Sequence, residues 1–183
     1  MQGSIDAGDA DAFSAGRTAR ATRVERSFAF IDLSGFTAYT DQEGDDQAVE
    51  MLTAFRSVVR SVSSTRGVRI AKWLGDGAML VGVEPEPLLA AIVDIEGLVD
   101  SSGSTLPVRA GFTCGPVILI DGDDYVGHAV NVAARLCAAA APREILAPAD
   151  DIAHLYIDLL ARQAGSMQIK GLDEPLEVVS IGR

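Results

Sequence analysis

Two hydrophobic periods alternate between residues 27 and 181, and this alternation constrains the chain more than any other feature. Residues 28–33 form an aromatic and β-branched run that breaks at Ser34-Gly35 and reads as a first strand. Ala48, Met51, Leu52, Phe55, Val58, Val59 and Val62 then recur at helical spacing, which predicts an amphipathic helix over about 46–65 that Gly67 ends. Residues 68–74 and 78–83 read as two strands joined by Gly75-Asp76-Gly77, a composition that tolerates the positive φ of a tight hairpin. The remaining pattern predicts a helix over 87–99, strands over 108–112 and 116–120, a helix over 126–141 and a strand over 144–147. A short helix over about 152–162 and closing strands over 167–170 and 176–181 complete it. Hairpins mixed with crossover helices indicate an α+β domain with a mainly antiparallel sheet.

At 183 residues the chain is long enough to bury roughly 70% of its unfolded surface in one domain, without a disulfide scaffold. Residues 1–26 hold almost no large apolar side chains and read as a flexible N-terminal arm, leaving 27–183 as the folded domain. A formal charge of −11 and no dense basic block argue against a nucleic-acid partner, because such affinity comes from Lys and Arg neutralising phosphates. Any phosphate ligand must be held locally. Cys114 and Cys137 form neither a CxxC pair nor a secreted framework, which suits two structural thiols in a reducing, cytoplasmic setting. No apolar run approaches the roughly 18 residues of a membrane span, so no membrane partner is expected within this chain.

Among 15 basic side chains only Lys72 and Lys170 are lysines, which suggests places where a compact ammonium works and a planar fork does not. Strand alternation puts Lys72 on one face with Val68, Ile70 and Leu74, where a cation needs a partner or must reach solvent along its stem. Asp32 shares a face with Phe28 and Phe30 just before a Gly-containing turn, and a carboxylate there wants a cation. Asp76 is either the aspartate such turns favour or, paired with Asp32, a ligand for hard divalent cations. In Ser34-Gly35-Phe36-Thr37, free backbone N–H groups at a helix N-terminus offer a polyphosphate cradle, although short glycine turns are common. Asn131 and Arg135 stand four apart on one helical face, either solvated or positioned to orient and neutralise a phosphoryl group. His128 and His154 lack ligand spacing, and no zinc motif, Walker loop or Ser-His-Asp set is present.

Five ordered segments carry a family likeness: FAFIDLSGFTAYT at 28–40, KWLGDGAML at 72–80, VRAGFTCGPV at 108–117, DYVGHAVNVAARL at 124–136, and IKG with a following proline at 169–175. Together they resemble the catalytic domain of class III nucleotidyl cyclases, and the small acidic chain is similar to the stand-alone adenylyl cyclases of mycobacteria. The resemblance implies a ferredoxin-like βαββαβ core with helices packed on a mainly antiparallel sheet and extra C-terminal strands. It implies two divalent cations per site, Mg or Mn, on Asp32 and Asp76. Lys72 and Asp124 become the adenine-selecting pair, Asn131 and Arg135 the transition-state residues, and Lys170 the holder of the terminal phosphates, with Gly35, Phe36 and Thr37 lining the cradle.

The implied function is conversion of ATP to 3′,5′-cyclic AMP and pyrophosphate, at sites shared across a head-to-tail homodimer. A guanylyl cyclase is disfavoured by Lys72 and Asp124, and an inactive ATP-binding or dimerising module by the complete residue set. The Gly75-Asp76-Gly77 hairpin also lacks the Gly-Gly-Glu-Glu-Phe type turn of diguanylate cyclases. The sequence departs from some relatives in the short acidic connection over 117–123, which lacks a phosphate-facing arginine. It also carries Leu172 where a second basic residue stands elsewhere.

Overall fold

The computed structural model describes residues 22–120, 124–156, 158–170 and 172–182. Its centre is β1 (Arg23–Leu33), flanked on one side by the hairpin of β2 (Arg69–Leu74) and β3 (Gly77–Gly82), and on the other by β4 (Val108–Ile120). The order β2-β3-β1-β4, with every neighbouring pair antiparallel, is the ferredoxin-like arrangement. Its crossovers are α1 (Phe36–Glu43) with α2 (Asp45–Arg66), and α3 (Pro85–Ser101). Beyond β4 come a short β5 (Asp124–Val126), α4 (His128–Ala139), β6 (Ile145–Pro148), α5 (Ala149–Ile152), β7 (Leu160–Met167) and β8 (Leu176–Gly182). The sheet continues β4-β6-β8-β7, with a parallel β4–β6 pair and β5 paired on β4.

Because the pleat alternates, the sheet has two dissimilar faces. Ala29, Ile31, Leu33, Leu80 and Phe112 face α2 and α3, where Phe55, Val59, Leu88, Ile92 and Ile95 complete the main core. Each fully buried side chain of this size contributes roughly 1.5–3 kcal/mol. Phe28, Met79, Val81 and Val117 face the other way and pack against α4, through Ala129 and Ala133. One layer of two helices thus closes one face, and among the described residues α4 is the helix on the other. Gly67 ends α2 in the left-handed conformation, φ 67°, accepting the chain reversal into β2.

Several elements differ from the sequence pattern. β1 begins at Arg23, inside the segment expected to be an arm, because Arg23 to Arg26 continue the ladder against Ile118 to Gly115. The rest of that arm, residues 1–21, lies outside the described residues. The two strands expected over 108–112 and 116–120 are one, since Thr113 to Gly115 stay paired with β1. The helix expected over about 152–162 is instead the single turn 149–152, and the strand expected over 167–170 lies earlier, at 160–167. β7 is exposed along nearly its whole length and held by pairing with β8, so no hydrophobic period marks it.

Candidate active site

Asp32 stands at the C-terminal end of β1, on the α4 face with Phe28 and Phe30. The β2–β3 hairpin tip is pinned beside it: the Leu33 amide donates to the Asp76 carbonyl at 3.3 Å. Gly77 pairs with Asp32, and a Cβ there would lie 2.5 Å from the Ile31 carbonyl oxygen and 3.1 Å from Asp32 Oδ1. Only a glycine fits there, because the Ile31 carbonyl is backbone and cannot yield. Burial, and then the negative charge of Asp32, hold the Asp76 carboxyl above its ordinary range. Two adjacent hard-oxygen carboxylates of like charge suit a divalent cation. Among the described residues no cluster of three or more His, Cys, Asp or Glu exists, so such a cation needs further ligands from elsewhere.

The cation that Asp32 meets within the chain is Arg109, its direct partner across the β1–β4 ladder. Arg109 Nε and Nη2 both donate to Asp32 Oδ2, at 3.0 and 2.6 Å, and Nη1 donates to the Ala138 carbonyl at 3.3 Å. Sequence reasoning asked for a cation beside Asp32 without finding it. The available signal was a single charge inside the apolar run 108–112, the same criterion that singled out Lys72.

Lys72 forms an ion pair with Asp124. Its face differs from the one expected, because a bulge between Ile70 and Lys72 breaks the alternation. Ile70 pairs with Leu80 toward α2 and α3, whereas Lys72 pairs with Met79 on the α4 face that also holds Asp32. Asp124 is delivered by β5, whose pairing with Ile118 to Ile120 starts the strand before α4. Its neighbour Tyr125 packs edge-on against Phe28, ring centroids 5.4 Å apart. On the opposite face Arg56 and Arg60 each stand 5.1 Å from the Trp73 ring centroid, and Arg56 donates to the Gly75 carbonyl at 3.0 Å. These arginines brace the hairpin from behind and were not singled out in the sequence.

Helix α4 presents Asn131, exposed, and Arg135, half-buried, away from its buried stripe Ala129, Val132, Ala133, Leu136 and Cys137. Lys170 is exposed, but its neighbour Ile169 is buried against Val132 and Leu136, which seats the lysine beside the same helix. At the start of α1, Gly35 adopts φ 86°, and the first helical bond runs from the Tyr39 amide to the Gly35 carbonyl. The amides of Phe36 and Thr37 therefore lack an intrahelical partner. Ser34 Oγ is buried and unpartnered among the described residues. The aspartates, the Lys72–Asp124 pair and α4 thus share one face. No hydrogen bond or ion pair joins Asn131, Arg135 or Lys170 to the aspartates among the described residues. The cavity at Asp32, lined by Leu74, Gly77, Arg109, Ala134 and Cys137 among others, is only about 160 Å³.

No family model matches the chain. It is 41% identical over 153 residues to an uncharacterized protein of Mycobacterium tuberculosis, covering 84% of this chain and 40% of that protein. It is 32% identical over 142 residues to an adenylate cyclase of Streptomyces coelicolor, covering 74% of this chain and 37% of that protein. The chain thus spans about two fifths of the length of these curated relatives. Its fold is similar to the adenylyl cyclase CyaB of P. aeruginosa, TM-score 0.77 at 20% identity, over 88% of this chain and 95% of that one. It is equally similar to the guanylate cyclase domain of RhGC from Catenaria anguillulae in complex with GTP, TM-score 0.76 at 18% identity, over 88% and 98%. Fold, sequence relatives and the five ordered segments agree, and the chain belongs to the class III nucleotidyl cyclases, whose catalytic-domain architecture it has.

Proposed function

We propose that this domain is an adenylyl cyclase, converting ATP to 3′,5′-cyclic AMP and pyrophosphate at two equivalent sites of a head-to-tail homodimer. The observation that carries the base assignment is the preformed Lys72–Asp124 pair. Adenine offers an N1 acceptor and an N6 donor, which match the ammonium as donor and the carboxylate as acceptor, whereas guanine presents the opposite pattern. A site whose polar groups would be left unpaired rejects the wrong base strongly.

Asp32 and Asp76 are the residues that would hold two divalent cations, Mg or Mn, which when bound supply charge for the ribose 3′-hydroxyl and the leaving pyrophosphate. The free amides at Phe36 and Thr37 donate to phosphate oxygens at the α1 N-terminus. Arg135 neutralises charge developing at the α-phosphorus, Asn131 orients the ribose, and Lys170 holds the terminal phosphates. The 3′-oxygen bonds to the α-phosphorus as the bond to the bridging oxygen breaks, with loss of the hydroxyl proton.

The small space at Asp32 supports the homodimer reading. Ligand sites usually occupy about 300–1,000 Å³. The cavity of about 160 Å³ at Asp32 is smaller than that, which favours a site completed by a second surface. The exposed α4 flank of another copy supplies the missing residue types.

Turnover of ATP and GTP with Mg2+ and with Mn2+, measured across protein concentration, tests all three elements. Cyclic AMP from ATP, little product from GTP and specific activity rising with concentration are expected. Absence of product with either metal would leave a nucleotide-binding module, and preference for GTP would overturn the base assignment.

A further inference from the structure

The Asp32–Asp76 pair already has a counter-ion, and its placement is specific. Both N–H groups that Arg109 offers Asp32 go to one oxygen, Oδ2, while Oδ1 faces the space kept open by Gly77. The third contact runs to the Ala138 carbonyl, in the last turn of α4. Carbonyls there lack intrahelical partners and carry the negative end of the helix dipole. Arg109 therefore lies between two electronegative docks, the carboxylate and the helix terminus, and can lean toward either without losing all its partners.

We propose that Arg109 is a positioning residue that makes divalent-metal binding depend on the nucleotide. It neutralises Asp32 well enough that the aspartate pair holds a bare cation poorly, and it yields Oδ2 only when phosphate oxygens arrive with the metal. Two carboxylates against one guanidinium leave a single net negative charge locally, a weak attraction for an unaccompanied ion. A guanidinium suits this role because it stays charged at all accessible pH and its fork reaches Asp32 and Ala138 together. This role presupposes that Asp32 is a metal ligand, as proposed above.

The test is binding of Mn2+ alone to the full chain, read by electron paramagnetic resonance of the free ion, without nucleotide. Arg109→Gln, which removes the charge, is expected to bind Mn2+ about tenfold more tightly than the wild type. Arg109→Lys, which keeps the charge, should stay near the wild-type value. Equal or weaker binding by Arg109→Gln, or an equal gain in Arg109→Lys, overturns the proposal. Circular dichroism checks folding; if Arg109→Gln does not fold, Arg109→Met, of similar length, serves as the neutral variant. Adding Asp32→Asn to the neutral variant separates the two assignments. Mn2+ binding that survives it removes Asp32 from the metal site altogether. Binding that is lost with it, but was never tightened by neutralising Arg109, rejects the role of Arg109 alone.

Discussion

Lys72 and Asp124 both keep more than half of their side chains in solvent, so their ion pair adds little to stability and stands ready to trade partners. This is what a base-reading pair requires. Replacing Lys72 with Arg conserves charge but substitutes a planar fork for a point donor. The expected outcome is loss of more than nine tenths of ATP cyclase activity with unchanged folding, checked by product formation and circular dichroism; near wild-type turnover would remove the base-reading role. The position of Lys72 was legible because lysine is so rare in this chain. Its face was not, because a bulge at Ala71 leaves no mark in an apolar run. Arg109 was missed for a related reason: its role depends on sitting opposite Asp32, 77 residues away in sequence.

At the scale of elements, α4 sits where it does because β4 has no side chain at Gly111. A Cβ there would come within 2.2 Å of the Cys137 amide and 2.3 Å of the Ala133 carbonyl oxygen. Backbone cannot yield as a flexible side chain can, so Gly111→Ala is expected to destabilise by about 3 kcal/mol, the upper end for overpacking. Urea unfolding measures it. It should also depress activity, by displacing Asn131 and Arg135 with their helix.

Asp151, near the end of α5, ties that element to β4. It accepts hydrogen bonds from Thr113 Oγ1 at 2.7 Å and the Cys114 amide at 2.8 Å. Burial nevertheless holds its carboxyl above the ordinary range. The folded protein thus binds this proton more tightly than the unfolded chain. Its stabilising effect is full below the ordinary carboxylate value and is lost as pH rises through the raised one. Asp151→Asn, which does not titrate, should remove that slope, checked by urea midpoints across the acid range. Burial also pushes the Cys114 and Cys137 thiols up to about 12, in keeping with structural rather than reactive cysteines. Strands and helices with one wet face were readable from their period. β7, exposed along nearly its whole length, and β5, three residues long, were not.

For the whole molecule, the proposed division of labour across a dimer has a direct test. Asp32→Ala and Asn131→Ala proteins should each be nearly inactive. Their mixture should recover up to about a quarter of the wild-type activity, because half of the subunits pair with the other variant and each such pair regains one intact site. No recovery, once mixed dimers are demonstrated, would place both residues in the same protomer's site.

Net charge is also settled at this scale. A chain of −11 proposed to act on a triphosphate must answer its own acids locally, and Arg109, Lys72, Arg135 and Lys170 are the cations placed to do so. The amino-acid sequence by itself determined the α+β class, the hairpin and the candidate residue types, because hydrophobic period, turn chemistry and rare charges are local properties. Only the tertiary structure decided that Asp32 faces Arg109, that Lys72 forms an ion pair with Asp124, and that Ala134 and Cys137 of α4 line the small cavity at Asp32. These depend on register and on distances between residues far apart in the chain, which no local pattern encodes.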